Sequence, residues 1–491
     1  MSSLSPLDPL STGEELRRGA FQNEPPFDLA SLEPLEKTGL GHLLKWLNGP
    51  SFTAKPQSLS TALVDGLIGR LEAALAAQVD EILRAPKFLA LERIWRSLDF
   101  LIQRVDFKEN VKIVILNASK ADLLEDFLDS PEIAKSGLYR LAYVAEYGQF
   151  GGEPLAAIVC DYQIDNAPDD YKLLERAAEI GAATHAPFLF GISPKFFGLK
   201  CLAEFDQIRD LTTVFSQKTH ARFQALRRDE NSRYLALVWP RFLTRAPYAP
   251  EMSLTWPYRE KLPKNPEEWP WGSAAFALAL TMAKSFERYR FSVNIIGENG
   301  GGLIANLLSL PVVAQNQKEF RSSVEYSPSD NAESALAQEG VITLMGRRDP
   351  KEAVFLTANS VLKPKEFAEA EGGAAATLSH RLSSQLPYLM LINRLAHYLK
   401  VIQRENLGGW KGPAALEADL NKWLNQFVTD MDNPGPQVRG RHPLRRAKAT
   451  VIAEPGQPGW HRVSLTIRPH FKRLGASFDL SLTGPLEKLD W

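Results

Sequence analysis

The chain is poor in cysteine and has no long apolar run, and both absences limit what it can be. Its 491 residues include two cysteines, Cys160 and Cys201, which lie outside any CxxC or cysteine–histidine cluster. Two isolated thiols in apolar surroundings favour buried, inert cysteines in a reducing compartment. No apolar stretch reaches the roughly 18 residues of a membrane-spanning helix, and the first residues lack the apolar core of a secretory signal. We therefore expect neither membrane insertion nor a signal peptide.

The chain also lacks an excess of charge of either sign. Lysine and arginine number 57 against 58 aspartate and glutamate residues, for a net charge of −1. This balance gives no overall field to hold nucleic acid or an anionic membrane. A basic run without interleaved aromatic residues precedes the C-terminal strands, and its members are Arg439, Arg441, Arg445, Arg446 and Lys448. We interpret this run as a protein-contact or solvated surface, because nucleic-acid patches usually contain aromatic side chains as well.

Motifs of catalysis are missing too. None of the eight histidines has the spacing HxH or HExxH, and no GxSxG sequence occurs. The sequence thus supports neither a zinc site nor a nucleophile elbow. The glycine-rich residues 297–302 lack both a following Lys-Ser/Thr pair and dinucleotide-binding spacing, so we expect a structural turn there. We predict no catalytic residue, cofactor or metal.

One group of carboxylates leaves an alternative open. Asp161 follows a predicted strand, and Asp165, Asp169 and Asp170 come soon after it. Carboxylates at strand ends can bind metal or act as bases, although the same pattern is typical of a solvated turn that leads into a helix. An α/β hydrolase or metal enzyme that uses Asp161, Asp169 and His185 therefore stays as an alternative.

Hydrophobic periodicity predicts the elements of the fold. Apolar spacing of three and four residues predicts helices at 60–83, from 86, from 120, at 171–183, 272–287, 383–410 and 414–432. Short β-branched or alternating runs predict strands at 111–116, 141–146, 155–164, 187–192, 231–243, 312–325, 340–356, 447–453, 461–470 and 476–482. Alternation of strands with helices favours an α/β class, α+β overall, with mixed sheets and flanking helices.

Composition suggests four segments along the chain. Residues 1–57 are rich in proline, serine and glutamate and are predicted to be an appendage or linker. We expect a first α/β part at 58–250, a second, outer α/β part with long loops at 251–380, and core helices with a β tail at 381–491. In the helix at 383–410, Arg394, Lys400 and Arg404 lie off the apolar stripe, which predicts a buried helix with a basic outer face.

The C-terminal tail is predicted to be a β ribbon with unpaired edges. In residues 461–470, Val463, Leu465 and Ile467 alternate with polar residues, which indicates one apolar face. A ribbon of two strands is only marginally stable alone in water. We therefore expect further strands from a partner chain to complete an intermolecular sheet.

Several segments together resemble one known family. The segment LSSQLPYLMLINRLAHYLKVIQRENLGGW (382–410) resembles a signature of the large sheath subunit of the type VI secretion system, the TssC/VipB family. Further matching segments follow in the same order: GGEPLAAIVCDYQID (151–165), HAPFLFGISPKFFG (185–198), NSRYLALVWPRFLTRAPY (231–248), WGSAAFALA (271–279), GENGGGLIANLLSLP (297–311), PLRRAKATVI (443–452) and PGWHRVSLTIRPHF (458–471). The resemblance covers about residues 65–490 but not the first 57.

The resemblance implies a structural role and a set of partners. Members of the family pair with the small sheath subunit, TssB/VipA, and self-assemble in the bacterial cytoplasm into a helical tube around the Hcp inner tube, starting on a baseplate. Their C-terminal strands are shared between neighbouring protomers. On this basis Val463, Leu465, Ile467, Arg445 and Arg446 are the expected partner-binding residues. A sheath protein of another contractile injection device or of a phage tail is a second possible identity.

The resemblance also implies a recycling partner. In the family, a ClpV-type AAA+ unfoldase recognises an N-terminal helix of the large subunit that contracted sheaths expose. Residues 13–21 are the best local candidate, because Ser11 can cap a helix there. Leu16 and Phe21 would form its apolar edge.

Overall fold

The computed structural model describes residues 61–149, 151–208, 210–252, 256–261, 263, 268–314, 317–367, 373–405, 412–431, 434–453, 461–470 and 480–485. The chain divides into two compact units, one formed by Met1–Glu92 with Pro247–Trp269 and the other by Arg93–Ala246 with Pro270–Trp491. The predicted residues Leu16 and Phe21, with the whole segment 1–57, lie outside the described residues.

The smaller unit contains helix α1 (Thr61–Arg84) and the first turns of helix α2 (Pro86–Ile102). The predicted helices at 60–83 and from 86 are thus confirmed. Within this unit, Asp80 is buried and accepts hydrogen bonds from the Tyr258 hydroxyl at 2.7 Å and the Lys261 amide at 3.2 Å. These bonds satisfy a carboxylate that would otherwise be costly to bury.

The larger unit is built on a six-stranded mixed sheet in the order β1-β2-β3-β9-β10-β6. Its strands are β1 (Ile158–Ile164), β2 (Phe188–Ile192), β3 (Leu235–Trp239), β6 (Leu303–Ile304), β9 (Val341–Gly346) and β10 (Ala353–Phe355). Strands β1, β2, β3 and β9 run parallel, whereas β10 is antiparallel to both β9 and β6. The predicted mixed sheet of the α/β class is confirmed.

Two smaller antiparallel pairs accompany this sheet. Strand β4 (Phe242–Leu243) pairs with β5 (Trp271–Gly272), and β7 (Leu310–Ala314) pairs with β8 (Gln317–Arg321). The strand predicted within 231–243 ends before Pro240, as expected, because Pro240 cannot donate to a ladder. The run at 312–325 is a hairpin rather than one strand.

The helices of the larger unit include those predicted from 120 and at 171–183, 272–287, 383–410 and 414–432. They are α3 (Lys120–Asp129), α4 (137–147), α5 (Pro168–Thr184), α6 (Leu211–Ser216), α7 (Ala221–Leu226), α8 (Ala274–Tyr289), α9 (Asp330–Gln338), α10 (Gly373–Ser383), α11 (Leu386–Glu405), α12 (Pro413–Asn425) and α13 (Pro436–Arg441). Ser119 begins α3 with a capping box that includes Asp122, and Ser273 caps α8. Such side chains satisfy amides that the first helical turn leaves without a partner.

Both faces of the main sheet are covered, because neighbouring residues of its strands point into different cores. Leu189 of β2 belongs to a core with α8 and the start of α11, whereas Phe188 and Phe190 belong to a core with α5. In β3, Ala236 and Val238 face the first core and Leu235 and Leu237 face the second. This explains why these strands read as continuous apolar runs.

Two predicted strands are wrong. Residues 111–116 belong to no helix or strand, and Val114 is 84% exposed. Their β-branched side chains suggested a buried strand, yet in this chain only Val111 and Ile113 pack against a core. The segment therefore forms no strand of the main sheet.

The predicted strand at 141–146 is helical and forms part of α4. The helix includes a π-helical stretch, Arg140–Val144, and Ser136 accepts a hydrogen bond from the amide of Tyr139 at its start. Tyr139, Tyr143 and Tyr147 stack along one face with ring centroids 5.1 and 4.9 Å apart. Aromatic side chains four residues apart therefore favour the helix, although each has a high β propensity.

The glycine-rich turn is structural, as predicted. Gly297 and Gly301 have positive φ angles of 74° and 91°, which glycine adopts without strain. A Cβ atom at Gly301 would lie 2.1 Å from the carbonyl oxygen of Asn294. The turn is also tied to β10, since the amide of Gly297 donates to the Phe355 carbonyl at 2.7 Å.

Helix α11 is shared by two cores and has no basic outer face. Its first turn places Leu386, Leu389 and Met390 in the core with α8. Tyr388, Leu391, Ile392 and Leu395 lie in a third core, which also contains α12 and the C-terminal strands. This confirms the buried helix predicted at 383–410, of which the structure describes Leu386–Glu405 as helical and leaves residues 406–410 outside the described part.

The prediction of a basic face on α11 is wrong, because its three cations are engaged with the protein. Arg394 lies over the rings of Phe286 and Tyr398, and Lys400 lies over the rings of Tyr143 and Tyr147. Arg404 donates to the carbonyls of Glu146, Gln149 and Gly152 at 3.1, 2.9 and 3.1 Å. Spacing alone could not show this, since long cationic chains fold back over neighbouring apolar and carbonyl groups.

The buried stripe of α11 yields a stability prediction. Leu395 is fully buried in the third core, so Leu395→Ala is expected to lower the free energy of unfolding by about 2–5 kcal/mol through the cavity it leaves. Leu399→Ala is the matched control one turn further, because Leu399 is only partly buried and should cost less. Chemical denaturation of both variants measures the difference, and equal costs would contradict this packing.

Candidate assembly interface

The C-terminal strands form a three-stranded antiparallel sheet that is separate from the main sheet. Strand β11 (Leu444–Ala453) pairs with β12 (His461–Pro469), which pairs with β13 (Leu480–Pro485) on its other side. The predicted β tail is therefore present, with three strands in place of a two-stranded ribbon. The turn between β11 and β12 lies outside the described residues.

The predicted contact residues of β12 point into the chain's own core. Val463, Leu465 and Ile467 are buried against α11 and α12, together with Ala449 and Val451 of β11. Their side chains therefore hold the sheet to the body. A partner strand would pair with the backbone of an outer strand, because β12 is already paired on both sides. Their assignment as partner-binding residues stays a prediction.

The opposite face of this sheet is basic. Arg446 and Lys448 are exposed on β11, and Arg446 lies directly opposite Arg468 of β12. Like charges in register disfavour a strand pair unless a counter-charge is close. Arg445 is half-buried, and with Arg439 it adds to burial in lowering the pKa of His470, against the hydrogen bond between His470 and the Thr429 carbonyl.

Sequence reasoning missed two residues that border this sheet. Asn421 and Glu417, both on α12, make hydrogen bonds to the backbone of β11. Their spacing of four residues places them on one helix face, but nothing in the sequence says that this face lies against a strand edge. They line a cavity of about 410 Å³ with Pro413, Ala414, Ala418 and Val451, in which Glu417 is the sole titratable side chain.

The residues of the alternative enzymatic interpretation do not converge. Asp161 lies on β1, where burial raises its pKa to about 7 although Arg93 opposes the shift. Asp169 is exposed in the first turn of α5 and pairs with Lys172 at 3.1 Å. His185 follows the other end of α5, and 16 residues of helix place it about 24 Å from Asp169. Among the described residues, no group of three or more His, Cys, Asp or Glu side chains could hold a metal ion.

The solvated turn expected around the other aspartates is partly wrong. Asp170 is buried, forms an ion pair with Lys120 at 2.5 Å and accepts from the amide of Asp165 at 2.6 Å. Asp165 in turn accepts from the Ser193 hydroxyl. These carboxylates therefore join β1, α3 and α5 rather than forming a reactive pair. Cys160 is buried as predicted, and burial raises the pKa of its thiol, whereas Cys201 is only half-buried.

Two histidines, the buried His397 and the half-buried His185, lie at the C-terminal end of α5. The His397 Nε2 atom lies 3.1 Å from the Thr184 carbonyl, which also accepts from the Tyr147 hydroxyl at 2.7 Å. Lys400 donates to the Ala183 carbonyl at 3.2 Å, and the rings of His185 and His397 are 6.3 Å apart. Side chains of α4 and α11 thus satisfy carbonyls that the end of α5 leaves open.

Burial keeps both imidazoles neutral. It lowers the pKa of His185 to about 3, helped by Lys400 and His397, and that of His397 to about 4, helped by Arg394 and Lys400. In the unfolded chain both histidines would titrate near their ordinary pKa of about 6.5. The unfolded state therefore binds more protons than the folded state between about pH 6.5 and pH 4.

This difference predicts acid sensitivity. The free energy of unfolding should fall as the pH decreases below about 6.5, with each histidine contributing up to about 1.4 kcal/mol per pH unit. In His397→Gln, which retains a donor for the Thr184 carbonyl, the decrease should be shallower between pH 6.5 and 5. Denaturation at several pH values measures both slopes. Identical slopes would assign the acid sensitivity to other groups.

Comparison with known proteins agrees with this architecture. The profile of the EvpB/VC_A0108 tail sheath N-terminal domain matches residues 65–362, and that of the EvpB/VC_A0108 tail sheath gpW/gp25-like domain matches residues 375–486. The chain is 32% identical over 431 residues to the type VI secretion system sheath protein TssC1 of Pseudomonas aeruginosa, with 86% of each chain covered. A sheath tail protein of Desulfitobacterium hafniense is 10% identical, with a TM-score of 0.28 over 64% of this chain and 60% of that one, a likeness too low to carry an argument.

These matches define a tail sheath protein. More narrowly, the chain belongs to the TssC/VipB family of large sheath subunits of the type VI secretion system. The resemblance found in the sequence is thereby confirmed. In the described part of the chain, no helix is both long enough and apolar enough to cross a membrane.

Proposed function

We propose that this chain assembles with a small sheath subunit of the TssB/VipA type into a contractile tube around an Hcp inner tube. Assembly would start on a baseplate in the bacterial cytoplasm, and contraction would propel the inner tube. The observation that carries the proposal is the C-terminal sheet of a chain that belongs to the sheath family. Strand β13 is an edge strand, or margin, of this sheet. It pairs with β12 on one side, and no other strand of the described residues pairs with its outer side.

Main-chain pairing at such a margin is a direct way to join protomers. Strand addition satisfies backbone donors and acceptors in a ladder and needs no preformed pocket. The contact would be heterologous, so repeated copies would generate an open helix rather than a closed ring. The work of contraction would then come from the free-energy difference between two packings of the same subunits, since the proposal assigns no catalytic site, metal or cofactor to this chain.

The proposal assigns a different role to each part of the chain. Residues 58–250 and 251–380 would form the two α/β parts of the sheath wall, and residues 381–491 would supply core helices and the linking strands. Arg445 and Arg446 would contact the partner near these strands, and Val463, Leu465 and Ile467 would hold the sheet in position. Another contractile device remains the competing assignment, for which a different small partner would copurify.

If the C-terminal sheet links neighbouring protomers, a proline in its central strand should prevent the assembly of long tubes. Thr466 is exposed at the centre of β12, so Thr466→Pro removes a ladder donor without removing a core side chain, unlike Leu465→Pro. When the variant is expressed with the small subunit, we expect copurification to persist but long tubes to be lost in negative-stain electron microscopy.

Thr466→Ala is the control, and it should give tubes of normal length. Circular dichroism checks that both variants keep a folded body. Tubes of normal length from Thr466→Pro would show that this sheet does not link the protomers. Absence of tubes from the unaltered pair would count against the sheath function itself.

We also propose that residues 1–57 carry the recycling signal, with Leu16 and Phe21 contacting a ClpV-type AAA+ unfoldase. Deletion of residues 1–25 is expected to leave tube assembly intact and to slow disassembly by the unfoldase, followed by light scattering after ATP addition. Leu16→Ala with Phe21→Ala should reproduce the slower rate. If the deletion prevents assembly, the segment has a structural role instead.

A further inference from the structure

The two margins of the C-terminal sheet differ in how their backbone groups are satisfied. Strand β11 forms one margin, and alternate residues of a margin strand direct their N–H and C=O groups away from the sheet. At Ala449 both outward groups are occupied by one side chain. The amide of Ala449 donates to Oδ1 of Asn421 at 2.9 Å, and Nδ2 of Asn421 donates to the Ala449 carbonyl at 2.9 Å.

The neighbouring outward groups of β11 are occupied as well. The Val451 amide donates to Oε2 of Glu417 at 3.0 Å. At the start of the strand, the Leu444 amide donates to the Phe427 carbonyl at 3.2 Å, and its carbonyl accepts from Thr429 at 2.9 Å. Residues of α12 and the segment after it therefore occupy outward backbone groups of this margin at Leu444, Ala449 and Val451.

The side chains that cover the margin are themselves fixed. Nδ2 of Asn421 also donates to the Glu417 carbonyl at 2.8 Å, which orients the amide plane toward β11. Leu420 and Leu424 of the same helix are buried in the third core, so α12 cannot leave the strand without exposing them. The cover is thus part of the fold rather than a loose surface contact.

The other margin of the sheet is formed by strand β13. Strand β13 pairs with β12 through six residue pairs, from Leu480 to Pro485. No strand in the described part of the chain pairs with its outer side. An incoming strand would find a ladder to extend there, whereas on β11 it would meet the amides of Leu444, Ala449 and Val451 already bonded.

We propose that Asn421 and Glu417 form an edge cap that closes the β11 margin to strand addition and leaves the β13 side as the margin that takes a partner strand. The inference rests on the proposed sheath function and deepens it, because it fixes the direction in which the intermolecular sheet grows. A closed β11 margin also prevents two copies from pairing β11 with β11 about a two-fold axis. Such a closed dimer would compete with helical assembly.

The test is a disulfide trap for β11–β11 pairing. Thr450→Cys, in a chain whose Cys160 and Cys201 are replaced by serine, cross-links two copies only when their β11 strands are adjacent. In the chain with the edge cap intact, little covalent dimer is expected on a non-reducing gel after mild oxidation. Adding Asn421→Ala should raise the dimer fraction about tenfold, the change expected when a hydrogen-bonded contact is lost.

Asn425→Ala is the matched control, because Asn425 is an exposed asparagine one turn further along α12. It should leave the dimer fraction unchanged. Asn421→Asp keeps the acceptor for the Ala449 amide but loses the donor, so it should give an intermediate fraction. Equal cross-linking in the Asn421→Ala and Asn425→Ala chains would overturn the proposal, as would strong cross-linking with the cap intact.

Hydrogen exchange supplies a second measurement that does not depend on cross-linking. The amides of Ala449 and Val451 should exchange slowly, and Asn421→Ala should accelerate exchange at Ala449 more than Asn425→Ala does. Unchanged exchange at Ala449 would contradict the cap even if the variants aggregated. Both measurements use the chain expressed alone and with the small subunit. Failure of the unaltered pair to form tubes would thus count against the proposed function and not against the cap.

Discussion

The larger unit depends on one set of contacts, those by which helix α11 holds the end of α5. His397 and Lys400 of α11 reach the Thr184 and Ala183 carbonyls, and Tyr147 of α4 reaches the same end. The first turn of α11 also belongs to the core of the main sheet, and its middle belongs to the core of the C-terminal sheet. Displacement of this single helix would therefore disturb both the core of the main sheet and the core of the C-terminal sheet.

That constraint explains why cations and histidines occur on a buried helix. A helix end buried without partners would leave carbonyls unsatisfied, at a cost comparable to lost hydrogen bonds. Long side chains from a neighbouring helix can reach those carbonyls while their aliphatic and aromatic parts fill the core. The neutral state of His185 and His397 follows from the same burial. The expected acid sensitivity is therefore a consequence of the packing of α11 against the end of α5.

Much of this architecture was predictable because its elements are periodic. The apolar stripes of α1, α8 and α11 and the continuous runs of β2 and β3 each identified their element from local sequence. Local sequence failed where a tertiary or intermolecular context decides the outcome. Residues 111–116 have strand propensity but no ladder in this chain, and Tyr143 has β propensity but stacks within a helix.

The margins of the C-terminal sheet were predictable only in part. Alternation along β12 identified an apolar face, and the structure turns that face toward α11 and α12. Which backbone edge is covered could not be read from the sequence, because Asn421 meets Ala449 across 28 residues of chain and nothing local specifies the contact. An asparagine on a helix is ordinarily a solvated residue, and only its position against a strand gives it a role.

A protein that works by assembly needs few reactive groups but must control its edges. A sheet with two open margins can grow on both sides and can pair with copies of itself, which competes with any ordered tube. In the edge cap that we propose, side chains of the same chain cover one margin and would leave a single direction for growth. Asp165 and Asp170 join α3 and α5 to the end of β1, and His397 joins α11 to the end of α5. The fold thus uses its polar groups to make the body rigid, so that a change in packing between protomers can be transmitted along the tube that we propose.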